Sequence, residues 1–343
     1  MNITELLRQL NSAHGPAGDE REVAEVLRAL AAPFADEITR DTMGNLICRR
    51  KGRGPKVMFA AHMDSIGLIV THIESEGFLR FGRLGGLRPH SLLHTTVRFR
   101  NGRRGLVSRD EKVDVDKVTL DDLYLDVGAK DRQEAEGMVQ VGDTAVYDAP
   151  AFEAGGRIVS PYLDNRISCV VMLMAMEALL SAPVEQDLYF VFTAQEELGL
   201  RGARTAAYAI DPDYAVAVDV TTTDDALGSK HGGSARLGGG AAIKIMDASV
   251  ICHPEVTERL SALAAEQGIR VQRDIIKSGG TDAGGIHISR AGVPTGGISV
   301  PCRYIHSPVE MVDRSDVEAC AALLTAFAAA RIEGQATERT DRV

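Results

Sequence analysis

The segment DLYFVFTAQEELGLRGA, residues 187–203, joins an apolar run to two adjacent acids, Glu196 and Glu197. The apolar part, residues 187–192, predicts a buried strand that ends shortly before the two acids. Successive side chains of an extended segment point to opposite sides, so we expect the two carboxylates to point in different directions. Such a pair is either an ordinary solvated turn or part of a site at the edge of a sheet.

The same alternation of strand and helix extends through both ends of the chain. We predict strands at 45–50, 56–65, 187–194, 214–221, 241–247, 271–276 and 296–301. We predict helices at 3–12, 19–34, 165–181, 200–209, 254–267, 282–291 and 315–333. Because the strands lack apolar–polar alternation and are separated by helices, the predicted fold class is α/β, a three-layer α/β/α domain with a mixed central sheet.

Residues 67–159 interrupt that pattern with short segments in which apolar and polar residues alternate. Gly, Asn and Asp separate these segments, and RNGR at 100–103 is typical of a hairpin turn. Because the α/β pattern lies on both sides of this stretch, we expect an insertion into one domain. The prediction is a discontinuous domain at 1–66 and 160–343 that carries a small, β-barrel-like domain at 67–159.

Charge and cysteine content disfavour several classes of protein. The 343 residues include 48 acidic and 38 basic ones, a formal net charge of −10 that disfavours a nucleic-acid partner. The longest apolar run, 167–176, is too short to span a bilayer, and the amino terminus lacks a signal-peptide pattern. We therefore expect no membrane partner. Five scattered cysteines show no disulfide or zinc pattern, so we expect a cytoplasmic protein. The polar tail at 334–343 is expected to be exposed and poorly ordered.

Residue types that bind metal ions recur where the predicted strands end. These residues are His62, Asp64, Asp164, Glu196, Glu197, Asp219 and His306. In an α/β sheet, ligands collect beyond the carboxyl ends of the strands, so we expect these side chains to converge. Two imidazoles among several carboxylates suit a pair of Zn²⁺, Co²⁺ or Mn²⁺ ions better than a structural thiolate site.

Each of these residues also has an ordinary structural explanation. Asp164 is able to cap the helix that follows it, and a lone histidine at a strand end is usually a satisfied polar group. Their co-occurrence favours a metal site, because acids at the ends of several apolar strands would be costly to bury without a partner.

Five segments of the chain resemble the M42 metalloaminopeptidases, a family of glutamyl, deblocking and tetrahedral aminopeptidases. The segments are AHMDSIGLIV (61–70), LDNR (163–166), QEELGLRGA (195–203), AVDVT (217–221) and GGTDAGGIHISRAGVPTGGISVPCRYIHSPVEMV (279–312). They occur in the order that the family shows, and together they cover almost all of the predicted α/β domain.

This resemblance implies a dinuclear metal site formed by His62, Asp164, Glu197, Asp219 and His306. Asp164 would bridge the two ions. His62 and Asp219 would complete one site, and Glu197 and His306 would complete the other.

The resemblance also implies two catalytic carboxylates. Glu196 would be the general base that activates a metal-bridging water, and Asp64 would orient the ligand His62. One glutamate of the adjacent pair would thus hold metal, while its neighbour faces the water.

The implied function is a dinuclear metal-dependent aminopeptidase that hydrolyses the amino-terminal peptide bond of short peptides. Its implied cofactors are two divalent ions per subunit, Zn²⁺ or Co²⁺ with Mn²⁺ as a third option, and its implied assembly is a homo-oligomer, a dimer or a dodecamer. Two other enzymes stay open: a related amidohydrolase that deacylates N-acyl amino acids, and a glycanase that uses two carboxylates. The glycanase would leave His62, Asp219 and His306 without a role. A non-catalytic binding module would be expected to lack part of the set.

Overall fold

The computed structural model describes residues 1–229 and 235–331, and within them the chain forms two sheets. The α-helices in these ranges are α1 Ile3–Ser12, α2 Arg21–Ala31, α3 Pro89–Leu92, α4 Arg132–Glu136, α5 Leu163–Leu179, α6 Arg201–Ile210, α7 Pro254–Gln267, α8 Asp282–Ile286 and α9 Arg314–Ala329. The strands are β1 Glu37–Arg40, β2 Leu46–Arg50, β3 Lys56–His62, β4 Gly67–Ile73, β5 Leu79–Leu84, β6 Thr96–Phe99, β7 Arg104–Arg109, β8 Leu123–Asp126, β9 Thr144–Tyr147, β10 Phe152–Ala154, β11 Arg157–Ser160, β12 Asp187–Thr193, β13 Tyr214–Thr222, β14 Ala241–Met246, β15 Val271–Ile275, β16 Thr295–Arg303 and β17 Glu310–Asp313. The predicted exposed tail at 334–343 lies outside the described residues.

Eleven strands form the larger sheet, and the centre of this sheet is parallel. Its path runs β1–β2–β12–β3–β13–β16–β17–β11–β10, with β14 beside β16 and β15 beside β14. Strands β12, β3, β13 and β16 run parallel to their neighbours in this series, whereas β1–β2, β2–β12 and β16–β17 are antiparallel pairs. The predicted mixed central sheet is confirmed, and four strand carboxyl ends meet at one edge.

Helices cover both faces of this sheet because its central strands are apolar on both sides. In β3, Val57, Phe59 and Ala61 pack with residues of α1, α2, α5, α7 and α9. Met58 and Ala60 point to the other face and pack with α6 and α8. Burial of both faces removes the apolar–polar alternation of a half-exposed strand. The three-layer α/β/α architecture is therefore confirmed.

The smaller sheet is a closed barrel of six strands in the order β4–β5–β8–β7–β6–β9. Its interior is a separate apolar cluster that includes Val70, Phe99 and Leu125. The predicted turn at 100–103 joins β6 to β7, and Gly102 there has a φ of +83°, which glycine adopts without strain. The β-barrel predicted for the middle of the chain is present.

Other features differ from the sequence-based expectations. Strands β10 and β11 follow the barrel but pair with the large sheet through β17, and the domain limits at 67 and 159 stay a prediction. Helix α8 ends at Ile286 and is followed by turns, and the positive φ angle of Arg290 excludes the predicted right-handed helix to 291. Strands β1 and β17 have only four residues each, too few for a clear alternation.

All five cysteines are buried and carry free thiols. Four of them lie in the main core of the large sheet, where they pack as small apolar residues. Within the described ranges, no helix combines the length and the apolar composition that a membrane span requires.

Candidate metal centre

Parallel strands bring the predicted ligands to one edge of the large sheet. These residues are His62 of β3, Glu196 and Glu197 after β12, Asp219 of β13 and His306 after β16. Asp164 reaches the same edge from the start of α5. All six line one open cleft of about 490 Å³.

Asp164 lies between two imidazoles and faces each with a different carboxylate oxygen. Its Oδ1 is 3.1 Å from Nε2 of His62, and its Oδ2 is 3.2 Å from Nε2 of His306. Burial disfavours the charge of Asp164, but the two imidazoles outweigh this effect and hold its pKa below the usual range. A carboxylate in this position is able to bridge two cations bound on either side of it.

The adjacent acids Glu196 and Glu197 point at different imidazoles. Oε2 of Glu196 is 3.8 Å from Nε2 of His62, whereas Oε1 of Glu197 is 3.1 Å from Nε2 of His306. Gln195 has a φ of +55°, which turns the chain at the end of β12. Burial raises the pKa of both acids, so a cation beside them would favour their charged forms.

Asp64 holds the turn that carries both glutamates. Its Oδ1 and Oδ2 accept hydrogen bonds from the backbone N–H groups of Glu196 and Glu197 at 3.1 and 3.2 Å. Nδ1 of His62 lies 3.1 Å from the carbonyl oxygen of Asp64 and 3.6 Å from its carboxylate. A donor at Nδ1 leaves Nε2 of His62 to face Asp164. Asp64 therefore contacts three of the residues that form the centre.

Two overlapping groups of side chains have donor atoms close enough to share an ion. One group is His62, Glu196 and Asp219, and the other is His62, Asp164 and Glu197, with all donor atoms of a group within 4.8 Å of one another. Burial, together with neighbouring acids, raises the pKa of Glu196 and Asp219 well above the usual values. Divalent cations supply the positive charge that such buried acids need. The oxygen and imidazole donors therefore fit the expected Zn²⁺, Co²⁺ or Mn²⁺ ions.

Glu310, a buried carboxylate beneath the centre, was missed in the sequence. Its Oε2 accepts a hydrogen bond from the backbone N–H of Asp164, and its Oε1 accepts one from the N–H of His306, both at 2.8 Å. The residue is 1% exposed. Through these two hydrogen bonds Glu310 links the backbone of Asp164 to the backbone of His306. The signal in the sequence is an acid four residues after His306, in HSPVE.

Glu20, which was also missed, supports the glutamate turn from the residue before α2. Its Oε1 accepts hydrogen bonds from the N–H groups of Gln195 at 3.1 Å and Gly18 at 2.7 Å. Burial, together with the nearby Asp64, raises the pKa of Glu20 to about 7. The three successive N–H groups at 195–197 thus all bond to carboxylates from distant parts of the chain.

Loops from both sheets complete the cleft. On the side of the large sheet, the lining includes Leu200, Thr221, Ile276 and residues 278–280. The barrel contributes Gly86 and Arg88, from the connection between β5 and α3.

Comparisons with known proteins identify the family. The family model for M42 glutamyl aminopeptidase matches residues 44–323. A lysyl aminopeptidase of Pyrococcus furiosus is 36% identical over 329 residues, which cover 92% of this chain and 93% of that protein. The solved structure of an aminopeptidase from the archaeon Desulfurococcus kamchatkensis matches with a TM-score of 0.91 and 42% identity, covering 95% of this chain and 94% of that one. The TET1 peptidase of Pyrococcus horikoshii, which can assemble into a tetrahedron or a large octahedral shell, matches with a TM-score of 0.86 and 31% identity, covering 95% and 99%.

These matches extend over most of this chain and almost the whole length of the relatives. The region that the family model matches contains every one of the six residues that converge at the cleft. The chain therefore belongs to the M42 glutamyl aminopeptidase family, and it is an aminopeptidase.

Proposed function

We propose that this aminopeptidase uses two divalent metal ions to remove the first residue of short peptides. The proposal rests on Asp164, whose two carboxylate oxygens face two different imidazoles at 3.1 and 3.2 Å. In this arrangement Asp164 would bridge the two ions. His62 and Asp219 would complete one site, and Glu197 and His306 would complete the other. The ions proposed are Zn²⁺ or Co²⁺, with Mn²⁺ as a third option.

This assignment leaves Glu196 as the general base. Each ion would have three protein ligands, which leaves positions open for water and substrate, and Glu196 is then the cleft acid that ligation does not need. When bound, the two ions would acidify a water and polarise the scissile carbonyl. Glu196 takes a proton from the attacking water and passes it to the leaving amine. Asp64 holds Glu196 and Glu197 in place through their backbone N–H groups.

The charge of the cleft supports cleavage at a free amino terminus. Asp164, Glu196, Glu197 and Asp219 line its floor, and Glu196, which is not a ligand in this assignment, is the carboxylate that remains to attract an α-ammonium group. A cleft of about 490 Å³ at the strand ends is large enough for the end of a peptide but not for a folded chain. The substrates proposed are therefore short, unblocked peptides, cleaved one residue at a time.

We also infer that the protein is a cytoplasmic homo-oligomer, a dimer or a dodecamer, in which the barrel domain contributes to assembly and covers the cleft. The five buried free thiols fit a reducing compartment. The resemblance to a shell-forming peptidase supports the assembly. Light scattering tests it, because two or twelve copies of the 36.8 kDa chain differ greatly in mass. A monomer over the working concentration range would contradict the assembly.

One experiment tests the catalytic proposal directly. The protein is stripped of metal with a chelator, refilled with Zn²⁺, Co²⁺ or Mn²⁺, and given a peptide and its amino-terminally acetylated copy. Mass spectrometry should show sequential loss of single residues from the unblocked peptide alone, and only after refilling. Full activity of the verified metal-free protein would contradict the metal mechanism. Equal turnover of the acetylated copy would favour the amidohydrolase instead.

A further inference from the structure

Arg88 lines the same cleft as the acids. Among the described residues that line the cleft, Arg88 is the only lysine or arginine. Arg88 comes from the barrel, at the residue before α3, and its side chain is exposed. The acids of the floor are committed to metal ions and to proton transfer in the proposed function. Arg88 neither binds metal nor transfers a proton in that function, so its position in the cleft needs a different explanation.

The connection that carries Arg88 is packed directly against the metal centre. The carbonyl oxygen of Gly86 lies 3.0 Å from Nδ1 of His306. A Cβ atom at Gly86 would come within 2.5 Å of that nitrogen, and one at Gly85 would come within 2.7 Å of Oε2 of Glu197. Two glycines are therefore needed for the barrel to approach this closely. This contact fixes the backbone from which Arg88 extends.

The backbone of Arg88 is anchored, whereas its guanidinium group is not. Its carbonyl oxygen accepts hydrogen bonds from the N–H groups of Ser91 and Leu92, both at 3.1 Å. Within residues 1–229 and 235–331, the guanidinium has no ion pair or hydrogen bond. By contrast, Arg303 pairs with Asp225 at 2.8 Å. Arg88 thus lies in the cleft with no partner for its guanidinium donors among the described residues.

We propose that Arg88 binds a carboxylate of the peptide substrate and thereby favours peptides that present one in the cleft. An arginine keeps its charge at any working pH, and its planar fork matches the two oxygens of a carboxylate. A peptide offers such a group at two places, an acidic side chain on its first residue or the free carboxyl terminus of a short chain. Arg88 makes the barrel part of the substrate site. This inference rests on the proposed function and adds the class of substrate.

Four substrates and four forms of the protein test the inference. A tripeptide with a free carboxyl terminus is compared with its amide, and glutamyl p-nitroanilide is compared with the glutaminyl compound. The forms are the wild type, Arg88→Ala, Arg88→Lys and Arg83→Ala. Arg83 is the matched control, because it is an exposed arginine on β5 of the same barrel but does not line the cleft. The kcat and KM values are measured for each pair.

In Arg88→Ala, we expect the kcat/KM preference for the carboxylate-bearing member of at least one pair to fall about tenfold. The fall should come from KM, because Arg88 binds substrate without touching the reacting bond. Arg88→Lys should keep part of the preference, since it retains the charge but not the fork. Arg83→Ala should behave as the wild type. The substrate pair whose preference falls shows whether Arg88 binds the free carboxyl terminus or the acidic side chain of the first residue.

The results separate this inference from the proposed function. If the wild type cleaves the peptides and both preferences are the same in Arg88→Ala, carboxylate binding by Arg88 is wrong while the aminopeptidase mechanism stands. A fall in kcat with unchanged KM would also overturn substrate binding, since it would mean that Arg88 supports the metal centre. If the wild type releases no amino-terminal residue from any peptide, the proposed function itself fails.

Discussion

The backbone N–H of Asp164 donates a hydrogen bond of 2.8 Å to Oε2 of Glu310. The other oxygen of the same carboxylate accepts an equal bond from the N–H of His306. Glu310 does not line the cleft, so its influence on the centre passes through the residues that it holds. One buried side chain thereby fixes the spacing between the proposed bridging carboxylate and one of the two imidazoles.

Replacement of Glu310 by glutamine should loosen the centre without changing the shape of the side chain. An amide has one acceptor oxygen, so its NH₂ group would face one of the two N–H donors. We expect metal affinity and kcat/KM each to fall about 10- to 100-fold, the range for residues that support metal ligands. Metal titration by calorimetry measures the first effect without relying on activity. Glu318→Gln, the same change at an exposed position of α9, is the control. Wild-type metal affinity in Glu310→Gln would show that the two hydrogen bonds do not position the ligands.

Substitution of each of the two adjacent glutamates should cause a different defect. Glu196→Gln should keep both metal ions but lose about two to four decades of kcat, the range for a general base. Glu197→Gln should lose affinity at one metal site, because Glu197 faces His306 at 3.1 Å. Metal content and kcat are measured on the same preparations. If both variants lose metal equally, Glu196 is a ligand and the division of roles is wrong.

Removal of metal should also lower the stability of the fold. Several buried acids share the centre, and burial raises the pKa of Glu196 and Asp219. An ion that binds the folded chain stabilises it by about 4 kcal/mol at a thousandfold excess over its Kd. We expect chelation to lower the thermal midpoint by several degrees and added Zn²⁺ to restore it. Asp164→Asn, which removes the charge of the proposed bridging ligand, should abolish most of the metal-dependent shift. An equal shift in this variant would place the stabilising ion elsewhere.

Protonation of the buried His14 should lower the stability of the fold in mild acid. Its ring is fully buried, and its Nε2 lies 2.7 Å from the hydroxyl of Thr144, which donates to Asp19. Burial, together with the nearby Arg100, lowers the pKa of His14 from 6.5 to about 4. The unfolded chain therefore takes up a proton at a higher pH than the folded chain does. The stability that neutral His14 contributes is present above pH 6.5 and is lost as the pH falls towards 4.

This loss should amount to about 3 kcal/mol across the interval, since one pKa unit corresponds to about 1.4 kcal/mol. Denaturant unfolding at several pH values measures it. His14→Gln keeps a donor towards Thr144 but does not titrate, so its stability should change less with pH. His90→Gln removes an exposed histidine and serves as the control. The same pH dependence in the wild type and in His14→Gln would rule out His14 as the source.

Local chemistry made much of the catalytic edge predictable from the sequence. The strands that lead to His62, Glu196 and Asp219 are apolar runs that end near a metal-binding residue type, and both features lie within a few neighbouring residues. The helix-covered sheet and the barrel could also be predicted. Apolar and polar residues alternate along the segments of the barrel but not along the central strands of the large sheet. The resemblance to the M42 family supplied the division of roles among these residues, which spacing alone did not.

The tertiary structure decided which groups meet. Glu310 and Asp164 are 146 positions apart, and Glu20 and Gln195 are 175 apart, so no local pattern marks either hydrogen bond. Arg88 reaches the cleft only because the barrel closes and places two glycines against Glu197 and His306. A sequence determines the hydrogen-bonding capacity and polarity of each side chain. The order of the strands and the packing of distant segments determine its partners, because burial leaves each polar group to pair with whatever the fold brings within reach.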